Sequence, residues 1–171
     1  VATWTKLAAA YMDAYSAPAG AAWLGASKQE LQIIMGNQKP TSVENVIVSG
    51  EQLVKEVYAD KEFYFNGNGQ LVLINVTKPV VEDALAKAAE AYAKAATVDP
   101  KGTKTKDIKE GLANIARKYI DEGMNLYQLG DLAKASDLFE QAAEVSATAP
   151  LSTVDTTALY NAGFTSWMVQ D

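Results

Sequence analysis

Chemistry in this chain has to come from carboxylates, lysines, hydroxyls and aromatic rings, because the sequence holds neither histidine nor cysteine. Those absences remove the commonest general base, the usual partner of a nucleophilic serine, the thiol nucleophile and the best transition-metal ligands. Two carboxylate pairs stand at i,i+4, Glu56 with Asp60 and Glu140 with Glu144. Such pairs could share a proton in acid–base work, yet the same spacing is what a solvated helix surface shows. The loop "GNQKPTS" lacks the Gly-Lys-Ser/Thr ending of a phosphate loop. "KGTKTK" (Lys101–Lys106) reads as a solvated connector, and no role attaches to the sequon "NVT" at Asn75. The expectation is a non-catalytic chain with no cofactor and no metal.

Net charge sharpens the list of partners. The formal charge is −6 and Arg117 is the single arginine, whereas nucleic-acid readers cluster arginine and lysine. A protein or peptide partner is expected instead, and no nucleic acid. No apolar run approaches the roughly 20 residues that span a bilayer. The chain opens inside what reads as a helix, with no initiator methionine and no signal peptide, and ends as abruptly. A leader and a C-terminal continuation are therefore expected. No residue pattern fixes an oligomeric state.

The elements that would carry any site follow from periodicity. Trp4, Leu7, Ala8, Tyr11 and Tyr15 share one helix face within residues 1–16, and "SAPAG" stops it. "SKQELQIIMG" predicts a short helix capped by Ser27, with Glu30 completing a capping box and Gly36 closing the end. From Val43 to Val76 the residues turn β-branched and aromatic, and "NGNG" between "KEFYF" and "QLVLI" predicts a hairpin. "GEQLVKEVY" fits a strand and a helix turn alike. Further helices are predicted from Pro79 to Pro100, over 107–129 and 131–146, and a last one opened by Ser152 with Asp155 in a capping-box position.

Internal repetition ties these helices together. Ala88, Tyr92 and Ala95 recur as Ala135, Phe139 and Ala142, and Gly123, Tyr127 and Asp131 recur as Gly163, Trp167 and Asp171. Antiparallel helices approach closely only where small residues face each other, and large rings then fill the space between layers. Gly130 permits a tight reversal and Asp131 caps the helix that follows.

This pattern of small residue, Gly-Asp turn and Ala-x-x-x-aromatic-x-x-Ala resembles the tetratricopeptide repeat. As a whole the chain resembles repeat proteins of bacterial cell envelopes, notably those of Bacteroides-type bacteria. The resemblance implies a mainly α fold of antiparallel helical hairpins, an alpha-alpha superhelix, carrying a small α+β insertion with a β-hairpin. It implies one helical-repeat domain over 1–171, with the strand-containing insertion at 17–78 inside the first repeat. Residues 79–100 would be that repeat's second helix, 107–147 the second repeat, and 152–171 the first helix of a truncated third. Ala8 precedes Ala88 by about 80 positions, roughly 68 more than the family's spacing, which is the room the insertion takes. Glu122 and Ser166 depart from the family pattern, at places where apolar and bulky residues are usual.

The same resemblance implies a concave, apolar groove for a protein or peptide, lined by Met12, Asp13, Ile120, Met124, Tyr127, Gln128, Tyr160, Phe164, Trp167 and Met168. The competing reading has later repeats or the insertion covering those residues. A carboxylate clamp is not expected, since Ile120, Met124, Tyr160 and Phe164 hold the places of its cations. Location in the periplasm or envelope is implied by resemblance alone. The insertion is also similar, over a few residues in "GASKQELQIIMG" and "FYFNGNGQLVLI", to small outer-membrane assembly lipoproteins. That similarity implies a structural or assembly factor whose β insert makes the contacts.

Overall fold

Six helices and four strands follow one another in a computed structural model that describes residues 1–170. Asp171, the expected counterpart of Asp131, lies outside the described residues. The sheet makes the fold mixed α+β rather than simply mainly α. The chain divides into two compact units, one of Val1–Tyr15 with the chain from Val81 onward, the other of Ser16–Val80. No helix among the described residues is long and apolar enough to cross a membrane.

The helical unit contains α1 (Ala2–Ser16), α3 (Ala84–Thr97), α4 (Thr105–Gln128), α5 (Leu132–Ala147) and α6 (Thr156–Val169); α2 (Lys28–Met35) belongs to the other unit. From α3 to α6, each helix packs closely on the next. The α4–α5 reversal is as tight as its sequence demands. Gly130, at φ 84°, donates to the Tyr127 carbonyl, Asp131 N–H reaches back to Leu126, and the Asp131 carboxylate then accepts from Lys134 N–H. Carbonyls and amides that a helix end leaves orphaned are thus satisfied within a few residues. Asp99 does similar work before α4, accepting from the N–H groups of Thr103 and Lys104, and its carboxyl is held below the usual range mainly by the Lys104 amide.

Two helix starts differ from the sequence expectation. Helix α3 begins at Ala84 rather than near Pro79, because Asp83 takes a left-handed φ of 53° that an α-helix cannot contain. Helix α6 is capped by Asp155 itself, which accepts from Ala158 N–H at 2.9 Å. Ser152, expected as the cap, sits in a left-handed turn at φ 51°.

Close packing rests on two glycines of α4. A Cβ added to Gly111 would lie 2.3 Å from the Tyr92 ring of α3, and one added to Gly123 would lie 2.7 Å from the Phe139 ring of α5. The two glycines are twelve positions apart, so they face directions about 120° apart around α4, one toward each neighbour. Ala88, Ala95, Ala135 and Ala142 are fully buried alongside these rings. Helix α1 joins through long side chains rather than close backbone approach. Lys94 Nζ stands 5.1 Å from the centre of the Trp4 ring, and the Tyr15 hydroxyl donates to Glu122 at 3.2 Å. Helices α1 and α3, expected as a first hairpin, therefore meet at Trp4 and Lys94, while Tyr15 and Glu122 join α1 to α4.

The Tyr15 contact explains why a glutamate stands at position 122. Burial raises the Glu122 carboxyl above its usual 4.5, with the Tyr15 hydrogen bond opposing the rise. The folded chain therefore holds this proton to higher pH than the unfolded chain. The stability contributed is fully present below about pH 4.5 and is lost as pH rises through the folded value. Glu122→Gln is expected to raise the melting temperature near pH 7 and to match the wild type near pH 4, by thermal melts at the two pH values.

The second unit is an antiparallel meander of β1 (Ser42–Val48), β2 (Glu51–Val57), β3 (Lys61–Phe65) and β4 (Leu71–Val76), in that order across the sheet. "GEQLVKEVY" resolves as β2, its Lys55 paired across to Glu44 at 2.9 Å. Helix α2 carries the full Ser27–Glu30 capping box and packs Leu31 with Phe63, Phe65 and Leu71 on one sheet face.

Candidate binding surface on the helical unit

Helix α6 is built with two unlike faces. Its packed side is small: Ala158, Ala162 and Thr165 are buried, so α5 can come close. Ser136 of α5 donates its hydroxyl to the Ala162 carbonyl at 3.0 Å, which leaves Ser166 to donate to Ser136 Oγ at 2.7 Å. Position 166 is therefore small and polar for a reason, because its hydroxyl bonds Ser136 where α5 and α6 pack. Thr165 satisfies its own buried hydroxyl on the Asn161 carbonyl at 2.7 Å.

The opposite side is aromatic and open. Tyr160, Phe164 and Trp167, spaced by four and three residues, share one face and are 69, 40 and 60% exposed. Tyr160 and Phe164 stack with ring centres 6.1 Å apart and planes 4° apart; Phe164 and Trp167 stand 6.2 Å apart. Leu159 is exposed beside them. No charged residue occurs in Thr156–Val169, so this surface is neutral as well as apolar. A contiguous exposed apolar face of this kind is costly to leave wet.

Of the other residues expected in a groove, the structure brings some to this surface and turns others inward. Tyr127 packs against Ala135, Phe139 and Ala162, and its hydroxyl reaches the Met168 sulfur at 4.0 Å. Met124 is 40% exposed on α4, and Gln128 and Asp13 are exposed. Met12 and Ile120 are half-buried against the helical core, where they act as packing. Among the described residues, no group of three or more His, Cys, Asp or Glu could hold a metal ion.

Sequence reasoning singled out Gly163 as a repeat position but not for what it does here. A Cβ built on Gly163 meets nothing within 4 Å, whereas at Gly111 and Gly123 it would strike a ring. Gly163 lies about 40° and 60° around α6 from Trp167 and Tyr160, on the open side. The position is open where those two are filled by a ring. The signal was present in the displacement of 40 between Gly123 and Gly163.

The geometry defines a stack of helices whose last described member, α6, carries an exposed, uncharged, aromatic face. Compared with known proteins, the chain matches no family, no curated protein and no solved structure.

Proposed function

We propose that the helical unit is a non-catalytic protein-interaction scaffold of the tetratricopeptide-repeat type, and that α6 receives an amphipathic helix. The observation that carries this is Gly163. Two glycines of the same unit each accommodate an aromatic ring from a neighbouring helix, and the third lies bare beside exposed rings and Leu159. The occupant is a helix with an Ala-x-x-x-aromatic-x-x-Ala face, its ring on Gly163 and its flanks against Leu159 and Trp167. Helix-in-groove recognition uses anchors spaced this way, and aromatic anchors dominate such interfaces. Neutrality of α6 favours an apolar helix face over a charged peptide. Resemblance to envelope repeat proteins supports a periplasmic or envelope location.

A stapled, fluorescent peptide carrying the Ala135–Ala142 face tests the reading by anisotropy, the staple offsetting the cost of ordering a short helix. Saturable binding is expected, with Gly163→Ala weakening it at least roughly tenfold, a loss of about 1.4 kcal/mol. The same substitution fills open space and swaps glycine for the best helix former, so the protein is expected to gain about 1 kcal/mol of stability. Equal binding by wild type and Gly163→Ala, or no saturable binding, would overturn the assignment.

A further inference from the structure

Strand β1 is an edge strand without the usual protection. Between Ser42 and Val48 it has no proline or lysine, which commonly blunt an edge, and its single charge, Glu44, is tied to Lys55 of β2. The other edge is partly occupied, since β4 exchanges bonds at Leu71 with Gly25 N–H (2.7 Å) and the Ala26 carbonyl (2.8 Å). Val43 and Ile47 stand on one face of β1, 58 and 77% exposed.

The hydrogen-bond phase of β1 follows from its turn. Ser49 and Gly50, at φ 51° and 82°, form a two-residue loop of the type I′ kind, so Val48 and Glu51 exchange bonds across it. Alternation then directs Val46, Glu44 and Ser42 toward β2. Just before the strand, Thr41 N–H departs from this alternation and turns inward to the Val57 carbonyl at 2.7 Å. The N–H and C=O groups of Val43, Asn45 and Ile47 therefore point away from the sheet. None of the three has a hydrogen-bond partner among the described residues on that side.

We propose that this edge pairs with β1 of a second copy of the chain, antiparallel, about a two-fold axis at Asn45. The register is self-complementary in three respects. Val43 faces Ile47 of the partner and Ile47 faces Val43, joining the two exposed apolar side chains on one face. Asn45 faces its own copy. Glu44, already tied to Lys55 at 2.9 Å and Ser42 at 3.1 Å, faces Val46 rather than a second glutamate. All three outward residues then form hydrogen-bonded pairs, which closes the edge by continuing one four-stranded sheet into eight strands. An unrelated strand would satisfy the backbone but would have no cause to match this side-chain order.

The absence of native cysteine makes the register directly testable. Directly opposed residues in such a pair have Cα atoms about 5.5 Å apart, within disulfide reach, whereas residues four positions out of register lie about 13 Å away. Asn45→Cys in the full chain is expected to cross-link to a dimer under mild oxidation, while Ile47→Cys alone does not. Sedimentation of the cysteine-free protein over a concentration series should show a monomer–dimer equilibrium. Ile47→Lys, at an exposed position, should weaken that equilibrium at least tenfold with the circular dichroism unchanged. A protein monomeric at all concentrations, or equal cross-linking at 45 and 47, would overturn the proposal. So would dimers that persist in Ile47→Lys.

Discussion

Replacing Gly123 by alanine is expected to destabilise the helical unit by about 2 kcal/mol, although alanine is the better helix former by about 1 kcal/mol. The new Cβ would lie 2.7, 3.0 and 3.1 Å from three atoms of the Phe139 ring. That ring is 1% exposed and packed among Ala135, Ala162 and Ile120, so it has nowhere to go. Gly111→Ala is expected to cost less despite the shorter 2.3 Å approach, because Tyr92 is only half-buried and can swing outward. Gly163→Ala should have the opposite sign. Thermal melts followed by helical circular dichroism should place the Gly123 variant roughly 4–8 °C below wild type, the Gly111 variant between them, and the Gly163 variant above. A Gly123 variant as stable as the wild type would mean that the seat is not filled.

Phe63→Ala is expected to have the largest effect of any single substitution in the sheet unit, about 3–5 kcal/mol. Phe63 is fully buried, with the Tyr58 ring centre at 5.4 Å and that of Phe65 at 6.5 Å in an edge-on arrangement. It also supports the stem of Lys61, whose buried Nζ bonds Asp60 and Gln38 at 3.1 and 3.3 Å. Truncation would leave a cavity beneath α2 and loosen that polar cluster. Amide exchange in β3 and β4 is the readout: protection at Tyr64, Phe65 and Leu73 should fall by two orders of magnitude or more, since about 1.4 kcal/mol is a factor of ten. Unchanged protection would show that the sheet does not depend on this core.

Local rules carried the sequence reading furthest where partners lie within a few residues. The Gly130–Asp131 turn, the Ser27–Glu30 capping box and the "NGNG" hairpin all depend on neighbours, and all form as expected. Non-local choices were less legible. In "GEQLVKEVY", Leu53, Val54, Val57 and Tyr58 satisfy both helix and strand periods, and pairing with β1 and β3 decides the matter. The role of Gly111 was hidden because Gly111 itself lies outside both repeat displacements, although its partner Tyr92 belongs to one. Helix α6 shows why a periodic aromatic stripe does not identify a core. Ala158, Ala162 and Thr165 form a second stripe, and the small one is buried because only it lets α5 approach. The exposed rings of α6 were named from the sequence; that Met12 and Ile120 face inward depends on how α4 and α1 meet.

The most direct measurement is a carbon–proton NMR spectrum of protein labelled only in its 11 glycines. Protons over the face of an aromatic ring shift upfield, so each seat reports its own occupancy. The α-protons of Gly111 and Gly123 should stand upfield in the free protein, and those of Gly163 should join them when the stapled peptide saturates. A Gly163 signal that stays in place at saturation would contradict the account, whatever the peptide's affinity.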